Sequence, residues 1–145
     1  MKKLLVMLVV LTLVMASASM VVAESSFRTV GINIDGQAVN IPADMGAVII
    51  YNDRTMVPVR FVAEFLNFTV DWLPETEMVV FANHLHTAVF RIGGYNLLVN
   101  AEQTVMDTSA MIYDNRSYIP IRFFAEAVGM EVDWDDATNS ALLVR

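Results

Sequence analysis

The chain has 145 residues, no cysteine, and sixteen acids against nine basic residues, for a formal net charge of −7 at pH 7. Disulfides, thiolate nucleophiles and thiolate metal sites are therefore excluded. Lys2 and Lys3 are its sole lysines, so the rest carries seven arginines against sixteen acids, near −9; that balance disfavours nucleic acid and anionic lipid partners and leaves no lysine for Schiff-base chemistry.

Met1-Lys2-Lys3 is a short basic start, and Leu4 to Met15 is almost unbroken apolar sequence. Small residues follow, with Val21-Val22-Ala23 and Ala16-Ser17-Ala18 as cleavage sites. Residues 1–23 read as a secretory signal peptide. The other reading of the stretch is an uncleaved membrane anchor, since about 20 apolar residues span a bilayer. No cysteine follows the run, which excludes a lipid-anchored lipoprotein. The remainder, residues 24–145, has the size of one domain, and without disulfides it depends on its core.

Beyond the leader, Ile32 to Gly36 is a first β-rich run, and Pro42 to Gly46 precedes a second, Val48 to Tyr51. Asn52-Asp53 are turn formers and Arg54 to Val57 is a third run, which together predict a hairpin, because Asn and Asp tolerate positive φ. Pro58 then opens a helix, where its missing N–H goes unused. Asn67 stops it in a left-handed cap. Phe68 to Trp72 and Met78 to Ala82 are two further strands. Thr87 to Ile92 is another, turning at Gly93-Gly94, and Leu97 to Ala101 follows.

From Ala110 the same order returns: Ala110 to Tyr113, a turn at Asp114-Asn115, Arg116 to Ile119, Pro120, a helix, Gly129, then strands ending at Trp134 and Val144. Arg54 to Trp72 and Arg116 to Trp134 align without a gap at a spacing of 62, with nine of nineteen positions identical. The chain therefore reads as an internal duplication of two repeats, about 27–82 and 87–145. Ile32 to Gly36 matches Leu97 to Ala101 at a spacing of 65, so the first copy carries three extra residues near Pro42 to Gly46.

In each helix only two residues are polar, Arg60 and Glu64 or Arg122 and Glu126. So narrow a polar stripe predicts a helix covered on most sides. The expected fold is α+β: two β-hairpin–helix–β-hairpin repeats, with an antiparallel sheet curled around a short helix in each. A repeat of this size has a marginal core alone, and Asn83 to His86 is no linker, so the copies are expected to pack as one unit.

The phrase Arg-x-x-x-Pro-x-Arg-Phe-x-x-Glu, running on to Val-Asp-Trp, resembles the copper amine oxidase N-terminal-like domain, or stalk domain, across essentially all of residues 24–145. The resemblance implies a five-stranded antiparallel sheet curled around a helix, and a non-catalytic accessory module secreted or displayed by bacteria. The sequence departs from the family at the hairpin turn, where Asp53 and Asn115 stand for the usual glycine. The copper centre of the amine oxidases needs three imidazoles beside a tyrosine-derived cofactor, whereas this chain has only His84 and His86. Amine oxidation is excluded, and no cofactor is expected.

His84-Leu85-His86 is the best remaining metal candidate, since residues two apart on a strand share a face. The plainer reading is a solvated loop at the join between copies. Arg54, Arg60, Glu64 and Asp71 recur as Arg116, Arg122, Glu126 and Asp133. Their balanced charge points to a structural network, in which Arg122→Ala costs stability; the competing reading is a ligand-binding cluster. Trp72 and Trp134, with Tyr51, Tyr95, Tyr113 and Tyr118, are candidate platforms for sugar rings, although a strand-end Trp more often plugs a core edge. Asp133, Asp135 and Asp136 sit at a turn, where ordinary carboxylate behaviour is expected. Three functions follow: a secreted non-catalytic structural or interaction module of the bacterial cell envelope with a surface protein or glycan as partner, a glycan-binding module of the cell wall, or a small acid-dependent hydrolase.

Overall fold

The computed structural model of the protein describes residues 27–145; the expected signal segment, residues 1–23, lies outside them. Strands β1 (Thr29–Ile34) and β2 (Gln37–Ala38) lead into a one-turn 3-10 helix, Ala43–Met45, and then β3 (Val48–Tyr51), β4 (Arg54–Pro58) and helix α1 (Val59–Phe65). Five strands follow: β5 (Thr69–Leu73), β6 (Met78–Ala82), β7 (Thr87–Arg91), β8 (Asn96–Val99) and β9 (Glu102–Val105). The chain closes with β10 (Met111–Tyr113), β11 (Arg116–Pro120), helix α2 (Ile121–Ala127), β12 (Glu131–Asp135) and β13 (Ser140–Val144).

Local chemistry places these elements. Asn52 and Asp53 both hold positive φ between β3 and β4, as Asp114 and Asn115 do between β10 and β11. Paired left-handed residues give a turn whose twist matches the strands it joins. Pro58 and Pro120 precede the helices in extended conformation. Asn67 (φ 63°) and Gly129 (φ 73°) end them in the left-handed region. The Phe68 and Met130 N–H groups then bond back to the Ala63 and Ala125 carbonyls, satisfying acceptors the last turn leaves open.

The assembled architecture corrects the expected one. The described residues are mostly β, with two α-helices of seven residues each among them, and their strands are not divided into two hairpin–helix–hairpin repeats with a sheet apiece. One sheet of eight strands runs β10-β11-β4-β3-β1-β13-β12, with β2 added on β1. The other, of five, is the meander β5-β6-β7-β8-β9. Both mix strands from the two halves of the sequence. β5 and β6 continue into β7, while β13 travels back to pair parallel with β1, Ile32 opposite Ala141.

The reason is cover. A seven-residue helix with a narrow polar stripe buries more surface than one hairpin pair can shield, so each helix packs against strands of the other half. α1 lies on β11, and α2 lies on β4 as well as its own neighbours. Phe81 of β6 stacks on Phe124 of α2 with centroids 5.4 Å apart. The buried faces of both helices and both sheets therefore merge into one core, including Val59, Val62, Ala63, Phe81, Phe90, Phe124 and Leu143. Removing a phenylalanine of this kind from water is worth about 1.5–3 kcal/mol. The expected join, Asn83 to His86, is a tight turn inside the five-stranded sheet, closed by the Asn83 carboxamide accepting from the Leu85 and His86 N–H groups at 2.8 Å.

A second, smaller cluster of Ile49, Met56 and Tyr118 has Phe27 packed on it. The Phe27 ring sits edge-on to Tyr51 at 5.5 Å and to Tyr113 at 4.8 Å, two tyrosines 62 positions apart.

Candidate functional site

A cleft of about 620 Å³ opens where the start of α1, the end of β5, the β10–β11 turn and the 3-10 turn meet. Pro58 to Phe61 form one wall and Val70 to Trp72 a second; Ile112 and Asp114 to Ser117 form a third, and Asp44 and Met45 the rim. A volume within roughly 300–1,000 Å³ suits a small molecule or part of a polymer.

The rim is built by side chains of the second half. Gly46 adopts φ 102°, and a Cβ there would lie 2.8 Å from the Tyr118 hydroxyl, so glycine is required. Tyr118, 1% exposed, donates its O–H to the Ala47 carbonyl at 3.1 Å. Burial pushes its phenol above the ordinary tyrosine value, against a smaller opposing pull from the Ala47 hydrogen bond and Arg116. Arg116 donates to the Asp44 carbonyl, and to the Asp114 carboxylate and carbonyl at 2.6 Å each. Asp44 is thereby tied to the β10–β11 turn.

The repeated charges take different partners. Arg60 meets Glu64 at 3.5 Å across one turn of α1, both well exposed. Arg54 reaches across to Asp107 at 2.6 Å, much as Arg116 reaches across to Asp44. Asp71 lies exposed on β5 opposite Val80. Asp133 accepts from the Trp134 N–H at 2.8 Å. Among the described residues, Asp71, Arg122, Glu126 and Asp133 make no ion pair; Glu126 lines a smaller hollow of about 320 Å³ with Leu97 and Thr104.

The two tryptophans differ. Trp72 is 41% exposed and lines the cleft. Trp134 is half-buried against the core, its indole N–H donating to Asp136 at 2.8 Å. The residue two past Trp72 is Pro74, which supplies no such acceptor. Tyr51, Tyr113 and Tyr118 are drawn into the small cluster, while Tyr95 stays exposed.

Asp135, next to Trp134, is not poised as an acid. Asp135 accepts from the Thr138 hydroxyl at 2.6 Å and the Ala137 N–H at 2.9 Å. Those bonds hold its carboxyl below the usual carboxylate value, the Thr138 hydroxyl foremost. A general acid needs the opposite shift, so the ordinary behaviour expected of this turn gives way to a structural Asp.

His84 is exposed in the β6–β7 turn, whereas His86 turns inward, its ring against Gly129 and 6.4 Å from that of Phe68. The His86 Nδ1 is enclosed without a partner. Among the described residues no three His, Asp or Glu side chains converge as metal ligands do, and this donor set does not fit a copper ion.

The family model for the copper amine oxidase N-terminal domain matches residues 33–143. The chain belongs to that family. The match takes in the five-stranded sheet, both helices, every wall of the cleft and all of the eight-stranded sheet but the start of β1 and the last residue of β13. Comparison with curated proteins finds no match. The N-terminal domain of the copper amine oxidases is a non-catalytic module. What sequence reasoning missed was the cleft itself: Asp44, Met45, Ile112 and Ser117 carry no motif. The signals that mark it are the three extra residues of the first half and Pro74 at the position of Asp136.

Proposed function

We propose that the protein is a secreted, non-catalytic interaction module of the bacterial cell envelope, and that the cleft beside Trp72 is its contact surface. The observation that carries the reading is the cleft's construction. It is an open surface holding an exposed tryptophan, on a domain whose family is a non-catalytic module. Residues 1–23 serve in this reading as the export signal, and residues 24–145 as the working domain of two repeats. The remaining repeated charges act as fold-holding pairs and solvated surface rather than as a catalytic set.

A second reading, a module that binds glycan, is favoured by the exposure of Trp72. The acid-dependent hydrolase has no such support, since Asp133, Asp135 and Asp136 are each engaged in local hydrogen bonds.

The test is to express the full chain with a carboxyl-terminal tag in a bacterium, fractionate the cells and determine the mature mass. The expected result is a product shortened at its amino end, found outside the cytoplasm and sedimenting with envelope material. Full-length protein confined to the cytoplasm contradicts the proposal.

A further inference from the structure

We infer that the cleft binds a neutral oligosaccharide, with a pyranose ring stacked on Trp72. The inference rests on the reading of the protein as an envelope interaction module and names its ligand class.

The first support is where the halves diverge. Their common residues build turns, caps and core, and two departures fall on one surface. The three extra residues of the first half form the 3-10 turn that carries Asp44 and Met45 to the cleft rim. Pro74 at the position of Asp136 leaves the Trp72 indole N–H without the acceptor that Trp134 has, and among the described residues it finds no other. One tryptophan is fastened into the fold and its counterpart is left to line a cavity. Folding alone accounts for Trp134; it does not account for Trp72, a large aromatic exposed at a cleft wall.

The second support is the composition of the cleft. Around Trp72 stand Asp44, Arg60, Asp71, Asn115 and Ser117, a mixture of carboxylate, guanidinium, amide and hydroxyl. An aromatic face offers apolar contact to the C–H face of a sugar ring. Donors and acceptors of both kinds suit hydroxyls, which both give and take hydrogen bonds. The Arg60–Glu64 pair, at 3.5 Å and exposed, is loose enough for Arg60 to turn to a ligand.

The third support is charge, which selects among sugars. A chain near −9 beyond Lys3 repels phosphate- or carboxylate-rich polymers, and Arg116 is already committed to Asp114 and Asp44. A neutral saccharide meets no such penalty.

The test uses the purified protein and two probes, the hexamer of β-1,4-linked N-acetylglucosamine and an unstructured peptide of mixed sequence. Because Trp72 and Trp134 are the chain's two tryptophans, Trp134→Phe makes Trp72 the sole indole reporter. The expected result is a saturable fluorescence change with the hexamer, half-complete at millimolar concentration or below. Calorimetry should show at least a roughly tenfold loss of affinity in Trp72→Ala, with Trp72→Phe intermediate and thermal unfolding of both close to the parent. No saturable change, equal affinity in Trp72→Ala, or the same response to the peptide overturns the assignment. Failure here with sedimentation intact leaves the envelope module standing without its saccharide; saccharide binding by a cytoplasmic protein does the reverse.

Discussion

Val57 and Ile119, 62 positions apart in sequence, face each other across the antiparallel β4–β11 pair in the eight-stranded sheet. On either side the register crosses, Pro58 opposite Tyr118 and Met56 opposite Pro120. Each position of the first strand therefore meets the counterpart of its mirror position in the second, as across a local two-fold axis. With β5–β6 given to one sheet and β12–β13 to the other, the halves are interlocked rather than adjacent.

Interlocking makes each half depend on the other. Residues 27–84 and 85–145, produced separately, are expected to show no cooperative unfolding transition. Mixed, they should regain the parent's circular dichroism spectrum, because each buries the other's helix and sheet edges. A half that melts cooperatively alone contradicts the interlocked core.

The aromatic stack at the centre is expected to dominate stability. Phe124→Ala removes the ring that packs on Phe81 and should cost about 3–5 kcal/mol in denaturant unfolding. A loss below about 1 kcal/mol, the scale of a surface change, would show that the five-stranded sheet does not close over α2.

Among the repeated arginines, structure separates those that hold the fold from those that do not. Arg116 is partly buried with three acceptors, so Arg116→Ala should cost about 1–3 kcal/mol. Arg122 is exposed and should change stability by no more than about 0.5 kcal/mol, in place of the cost that a uniform charge network implies. Chemical denaturation of both variants decides between the two pictures.

Tyr118 gives the molecule an alkaline weakness. Its phenol is raised by burial, so the folded protein holds that proton more tightly than the unfolded chain. The stabilisation is complete below the ordinary value of 10.0 and is lost as pH rises through the folded value. The melting temperature should therefore fall above that pH, and fall less steeply in Tyr118→Phe. Parallel curves for the two proteins would contradict the assignment.

Much of this was legible in residues. Asn52-Asp53 and Asp114-Asn115 announced their turns because so few side chains tolerate positive φ, and Pro58, Pro120, Asn67 and Gly129 bracketed the helices for related backbone reasons. Partnership between strands was not legible. Met78 to Ala82 and Ser140 to Val144 look alike as sequence, yet β6 pairs with β7 and β13 with β1, a choice set by how the helices must be covered. Nor was the contrast between Trp72 and Trp134, which rests on Pro74 against Asp136 two positions on. A local pattern shows a residue's conformation; its neighbours across the fold decide its exposure.

The proposed contact surface is the cleft at Trp72. The most direct measurement is amide chemical-shift mapping of the labelled protein with solubilised envelope fragments. Perturbations are expected to gather on Asp44 to Gly46, Arg60, Asp71 to Leu73 and Ile112 to Ser117. Shifts confined to the outer face of the five-stranded sheet around Val89 and Leu98, or none at saturating fragment, would contradict it.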